Sequence, residues 1–263
     1  MSKSQYIIKN VTKFYNVDNE KHIVLKDIFL NINTNDITVI LGESGCGKTT
    51  LLRLIANIEN VSSGEIKFIR DNEEVKPKVG FVFQESRLMP WLNVSENIAF
   101  NDVKDKTLMR SLKNIVNLKK DKNDNCRVDM YLKMMKLEKF KNSYPYELSG
   151  GMAQRVSIAR ALYFNPDVLL MDEPFSSLDY FTRIDMQNEI IKIHKATKKG
   201  VIFVTHDIDE ALKLANRIVV FAKNNQIKEF KIEENFDRNF EDEYYINIKK
   251  EILKTLNHNI SNV

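Results

Sequence analysis

The run from Gly42 to Thr49, GESGCGKT, places glycines, a lysine and a hydroxyl at the spacing G-x-x-x-x-G-K-[ST]. Each residue type has a physical job there. The glycines let the backbone wrap a phosphate chain with its N–H groups turned inward. A helix starting near Lys48 adds the partial positive charge of its N-terminus. Lys48 supplies an ammonium for the β- and γ-phosphates, and the Thr49 hydroxyl is a ligand for Mg²⁺. Gly42, Ser44, Gly45, Cys46, Gly47, Lys48, Thr49 and Thr50 are therefore the candidate phosphate contacts. The apolar ITVIL before this loop and TTLLRLIAN after it read as strand and helix, the context such a loop requires.

A second chemical feature lies far along the chain. VLLMDEP, Val168 to Pro174, is an apolar strand ending in two acids. In open parallel sheets ligands sit beyond the carboxyl ends of strands. Asp172 is thus placed to hold Mg²⁺ directly or through water, and Glu173 to polarise an attacking water. Alone, such a run equally describes a strand entering an acidic turn; beside a phosphate loop it gains a function.

The elements that must position these residues are legible as short, nearly continuous apolar runs: Ile37 to Leu41, Val79 to Phe83, Val168 to Met171, Val201 to Thr205 and Ile218 to Ala222. Such runs are typical of parallel strands covered on both faces, and helical stretches separate them, so the class is α/β. The first forty residues alternate more and suggest an antiparallel sheet. Residues from about 88 to 155 interrupt the strand series. Met109 to Val116 and Val128 to Leu137 carry helical spacing, and Lys119 to Asn125 reads as a polar surface loop. Near the C-terminus, Tyr245, Ile248, Ile252 and Leu256 share one helical face that should pack on the core.

Composition narrows the classes. Forty Lys and Arg against 36 Asp and Glu leave +4, with the lysines scattered among carboxylates rather than gathered in a basic stripe, so no nucleic-acid partner is expected. Cys46 and Cys126 sit in no metal-ligand spacing and form no disulfide framework. The first residues lack the apolar core of a signal peptide, and no apolar run approaches the ~20 residues needed to span a bilayer.

Leu148-Ser-Gly-Gly-Met-Ala-Gln-Arg155 resembles the signature motif of ABC (ATP-binding cassette) ATPases. Further pieces follow in that family's order. Gln84 after VGFVF looks like the Q-loop glutamine, Ser177-Leu178-Asp179 like the D-loop, and His206 after VIFVT like the switch histidine. Tyr15 in NVTKFY holds the place of the aromatic that stacks on adenine. Each piece alone has an ordinary structural reading: a core tyrosine, a satisfied histidine, a helix-capping serine. Met152 stands where many members have glutamine, and Tyr180 and Phe181 are bulkier than expected.

The resemblance implies a P-loop NTPase core with a mainly parallel sheet, an N-terminal antiparallel β subdomain and an inserted helical subdomain. Residues 1–222 would form the ATPase domain and 223–263 a C-terminal extension with a packed helix. It also implies ATP and Mg²⁺ as cofactors. Lys48, Glu173 and His206 would be catalytic, Thr49, Gln84 and Asp172 would hold the metal, Asp179 of the D-loop would contact the nucleotide, and Ser149, Gly150 and Gly151 would complete the nucleotide site of a second copy in a head-to-tail dimer. The stretch QESRLMPWLNVSENIAF, Gln84 to Phe100, with LSGGM and VTHDIDEAL, is similar to the nitrate/sulfonate/taurine importer ATPases. That branch implies a peripheral subunit on the cytoplasmic face of the membrane, partnered by permease subunits and indirectly by a solute-binding protein. An exporter ATPase, or one acting on nucleic acid or ribosomes, is the alternative. Trp91 either docks the permease or packs in the core.

Overall fold

The computed structural model describes residues 4–100, 122–222, 226–233, 235–236 and 238–257. Contacts divide the chain into two units, one of residues 1–79, 167–173 and 190–263, the other of residues 80–166 and 174–189. In chain order the elements are β1 (Ser4–Val17), β2 (Glu20–Asn33), β3 (Ile37–Gly42), α1 (Lys48–Ile55), β4 (Ser63–Arg70), β5 (Glu73–Glu74), β6 (Val79–Val82), α2 (Val94–Ile98), α3 (Lys122–Met134), α4 (Gly150–Tyr163), β7 (Val168–Asp172), α5 (Tyr180–Thr197), β8 (Gly200–Thr205), α6 (Ile208–Leu214), β9 (Arg217–Phe221), β10 (Ile227–Lys231) and α7 (Glu243–Asn257).

The first unit holds two sheets. One is antiparallel, in the order β2-β1-β4-β5. Its leading hairpin turns through Asp18 and Asn19, with φ of 51° and 65°. Two residues at positive φ match the right-handed twist of the strands, and Asp and Asn tolerate that region better than other non-glycine residues. Alternation buries Tyr6 and Ile8 on β1 and Ile28, Leu30 and Ile32 on β2, as the period-two pattern leads one to expect, and a register shift between Leu25 and Ile28, where Asp27 has φ of 51°, lets Leu25 be buried as well.

In the other sheet β10, β9, β3, β8 and β7 lie side by side in that order. β3 pairs in parallel with both β8 and β9, β7 pairs in parallel with β8, and β10 pairs antiparallel with β9. Every residue of β3, β7 and β8 is buried, which is why these runs read as continuous rather than alternating. The parallel order brings the carboxyl ends of β3, β8 and β7 to one edge. Each of those ends carries a chemically active sequence.

Beyond β10, the chain returns across α6. Arg238 donates to the carbonyls of Leu212 and Ala215 (the latter at 2.7 Å), both at the carboxyl end of α6, and to Glu233 at 2.9 Å and Asn235 at 2.8 Å. The last carbonyls of any helix lack partners within it, so one guanidinium here satisfies groups that burial would otherwise strand. α7 packs on α6 and β9. Tyr245 and Ile252 are buried and Ile248 and Leu256 half-buried, the face marked out in the sequence.

The second unit is mostly helical among its described residues. Asn93 caps α2 by accepting from the Glu96 amide at 2.9 Å, while the Glu96 carboxylate accepts from the Asn93 amide at 3.1 Å. α2 and α3 pack on α4 around Leu92, Val94, Ile98, Val128, Leu132, Val156 and Ile158. The expected loop at 119–125 is corrected in part: α3 begins at Lys122. Its polar opening turns extend a helix whose apolar face starts only at Val128, so hydrophobic periodicity could not show them. The expected helix at Met109 to Val116 lies outside the described residues.

Arg238→Ala should lower unfolding stability by about 2 kcal/mol in urea titration, because charged hydrogen bonds to otherwise unpaired carbonyls are lost. A change below about 0.5 kcal/mol would show that water replaces the guanidinium freely.

Candidate functional site

At the end of β3 the chain turns through the loop 43–47 into α1. Gly47, the residue before α1, has φ of 97° and makes no side-chain cap. A Cβ there would lie 2.6 Å from Leu25 Cδ2, so only glycine fits. Without a capping side chain, the first-turn amides of α1 are left for an anion. Gly42 is equally confined: a Cβ would meet Phe221 O at 2.6 Å and Cys46 Sγ at 2.8 Å. Burial, opposed by the Lys48 charge, raises the pKa of the Cys46 thiol, which remains protonated at neutral pH. Ser44 and Gly45 are exposed, Thr50 is half-buried, and the Cys126 side chain lies outside the described residues.

Lys48 is 4 % exposed, which for a lysine demands compensation. Its ammonium donates to Gly42 O at 2.9 Å and Glu43 O at 2.8 Å, closing the loop on itself. The next residue reaches another strand: Thr49 Oγ1 donates to Asp172 Oδ1 at 2.9 Å. Asp172 is also buried. Burial raises its pKa and the neighbouring Glu173 charge adds to this; the Thr49 hydrogen bond and the charges of Arg53 and Lys48 oppose it.

Glu173 leaves β7 with φ of 42°, the left-handed region that a non-glycine residue enters at a cost of about 1–3 kcal/mol. Its amide still donates to Val204 O at 3.0 Å, so the backbone is held by the sheet while the side chain is turned out. The carboxylate then lies 3.1 Å from His206 Nδ1, at the end of β8. His206 is exposed, and the next residue, Asp207, caps α6 by accepting from the amides of Asp209 and Glu210. The first unit thus brings Lys48, Thr49, Asp172, Glu173 and His206 together. Two oxygen donors, Thr49 Oγ1 and Asp172 Oδ1, sit within hydrogen-bond distance of each other. That fits Mg²⁺, which takes one or two protein oxygens and completes its shell with phosphate and water. Tyr15, on β1 in the same unit, is half-buried and hydrogen-bonds to Glu59 at 2.5 Å.

The remaining candidates belong to the second unit. Gln84 is exposed after β6. Ser149 is exposed and caps α4, its Oγ accepting from the Met152 amide at 3.3 Å. That cap uses the backbone of Met152, so the departure from glutamine does not disturb it. Gly150 faces open space, whereas a Cβ on Gly151 would approach Leu178 Cδ2 at 3.1 Å. Asp179 is exposed and accepts from the Thr182 amide at 3.0 Å, and its hydrogen bonds with Thr182 hold its carboxyl below the usual range. Tyr180 and Phe181, 68 % and 78 % exposed, meet edge to face, so their bulk displaces nothing.

Of the two readings of Trp91, core packing is excluded: the ring is 69 % exposed. The residue that organises this segment is the buried Asn97, which receives the Met89 amide at 2.8 Å and donates to the carbonyls of Met89, Leu92 and Asn93. Nothing singled out Asn97 in the sequence, although the Asn93-x-x-Glu96 capping pattern beside it was a usable signal.

A family model described as ABC transporter matches residues 25–176. The aliphatic sulfonates import ATP-binding protein SsuB of Bacillus cereus is 43 % identical over 94 % of each chain. The taurine import ATP-binding protein TauB of Roseobacter denitrificans is 39 % identical over 82 % of this chain and 76 % of its own. A dimeric structure of the ATP-binding cassette MJ0796, in a post-hydrolysis state with ADP and Pi, superposes with a TM-score of 0.74 at 33 % identity, covering 88 % of this chain and all of that one.

The raised pKa of Asp172 carries a sign. A carboxyl raised on folding makes its ionised form the destabilising one, so stability falls as pH climbs from the unfolded value near 3.8 through the raised folded value. Asp172→Asn keeps an oxygen for Thr49 and removes the charge. Without nucleotide it should melt above the wild type at pH 7–8, and the gap should close as pH falls towards 4. An equal or lower melting temperature throughout would contradict the assigned burial penalty.

Proposed function

The chain belongs to the ABC transporter family, and we propose that it is the ATP-hydrolysing subunit of an importer for aliphatic sulfonates or closely related sulfonated solutes. The observation that carries the hydrolytic part is the convergence of three strand ends: Lys48 and Thr49 after β3, Asp172 and Glu173 after β7, and His206 after β8. The importer and solute parts rest on likeness to the sulfonate and taurine import subunits.

In this reading the α1 amides and the Lys48 ammonium receive the β- and γ-phosphates, and the lysine exchanges its two carbonyl partners for phosphate oxygens. Thr49 and Asp172 hold Mg²⁺, with Gln84 contributing; when bound, the ion neutralises charge on the phosphates. Glu173, its backbone fixed by Val204, orients the attacking water and accepts its proton. His206 steadies that carboxylate and contacts the γ-phosphate. Ser149, Gly150, Gly151 and Asp179 serve the nucleotide of a second copy of the chain.

Trp91 serves the membrane partner. An exposed tryptophan on a segment cross-braced by Asn97 and separated from Gln84 by six residues suits a helix of the permease, so movement at the nucleotide reaches the docking surface along a short path. Among the described residues no helix is long and apolar enough to cross a membrane. The subunit sits on the cytoplasmic face, with residues 1–222 as the ATPase domain and 223–263 as its extension.

The test is hydrolysis by the complex of this chain with its permease in proteoliposomes. Binding protein loaded with an alkanesulfonate should stimulate turnover, and binding protein offered sulfate alone should not. Glu173→Gln should reduce stimulated turnover at least about 100-fold while ATP still binds, since the amide cannot take the proton. Stimulation indifferent to the sulfonate would overturn the solute class; a mutant keeping a tenth of the activity would overturn the role of Glu173.

A further inference from the structure

Tyr15 is tied to the phosphate-binding helix through one carboxylate. Its hydroxyl donates to Glu59 Oε2 at 2.5 Å and is hydrogen-bonded to Thr50, the third residue of α1. Glu59 is in turn gripped by Lys13 Nζ at 3.4 Å and Arg53 NH1 at 3.5 Å, and Arg53 is also on α1. Lys13 donates to Asn60 O at 2.9 Å and lies 4.9 Å over the Tyr15 ring. Burial pushes the Glu59 carboxyl up, but the bonds from Tyr15 and Lys13, with Arg53, outweigh it and hold the group ionised at neutral pH. The tyrosine on β1 and the helix that starts at Lys48 are thereby spaced by side chains rather than by backbone alone.

We propose that Glu59 is a positioning residue for nucleotide recognition: it fixes the Tyr15 ring at a set distance from the α1 N-terminus, so that base and triphosphate are received together. This rests on the reading of Tyr15 as the adenine-stacking aromatic and of α1 as the phosphate site. A free tyrosine ring must be immobilised when a base stacks on it, and pre-ordering removes that entropic cost from binding. The carboxylate suits the task because it accepts the phenol and two cations at once. Surface ion pairs of this kind add little to stability, so the network is better explained by what it orients than by what it stabilises.

The probes that separate the two roles are ATP, which has a base, and inorganic tripolyphosphate, which has none. Titration of both, with Mg²⁺, against the wild type, Glu59→Ala, Glu59→Gln and Tyr15→Ala decides the matter. Glu59→Ala should weaken ATP binding about threefold to tenfold and leave tripolyphosphate binding unchanged. Glu59→Gln should recover most of the loss, because its amide oxygen still accepts the Tyr15 hydroxyl. In the Tyr15→Ala background, Glu59→Ala should add nothing. Equal weakening of both probes would mean that Glu59 only braces α1, and would overturn the proposal. Unchanged ATP binding by Glu59→Ala, with weakening by Tyr15→Ala, would overturn the proposal and spare the reading of Tyr15. Unchanged binding by Tyr15→Ala would overturn that reading and the proposal with it.

Discussion

The hydrogen bond from Thr49 Oγ1 to Asp172 Oδ1 joins residues 123 apart in sequence, and it forms only if two parallel strands end level with each other. β3 and β7 are not neighbours; β8 lies between them. The register Leu41 with Thr205 on one side and Asp172 with Val204 on the other sets all three carboxyl ends at one height. Lys48, Glu173 and His206 are then carried to the same edge without further machinery. A strand slipped by one residue would turn Asp172 to the other face and dismantle the site.

The residues that gather there are costly to the fold. Lys48 and Asp172 are charged and buried, and Glu173 occupies a backbone region that suits glycine better. The structure offsets each locally: two carbonyls for the ammonium, one hydroxyl for the carboxylate, a sheet hydrogen bond for the strained amide. In the proposed function these partners give way to phosphate oxygens and a cation. The site is thus held in shape by its own groups, as preorganised electrostatic sites require.

What could be read in the sequence was whatever depends on runs and fixed spacings. β3, β7 and β8 appear as unbroken apolar runs because both faces are buried, and the phosphate loop appears because glycine at 47 is sterically enforced. The buried face of α7 followed from its 3.6-residue period. Residues whose role depends on where the chain returns in space left no such mark. Glu59 sits in a polar turn, Asn97 in a short helix and Arg238 in an irregular strap, and each acts through partners set by tertiary structure. The exposure of Trp91 likewise depends on how its segment folds, which composition cannot show.

In the proposed function, Lys48, Thr49 and Asp172 trade their internal partners for nucleotide and metal. A crystal structure with a non-hydrolysable ATP analogue and Mg²⁺ puts that exchange to the test. Lys48 Nζ should leave the carbonyls of Gly42 and Glu43 for phosphate oxygens, and the cation should come to rest on Thr49 Oγ1 with Asp172 in its surroundings. A bound triphosphate that leaves Lys48 on those two carbonyls, or a cation held away from Thr49 and Asp172, would refute the exchange.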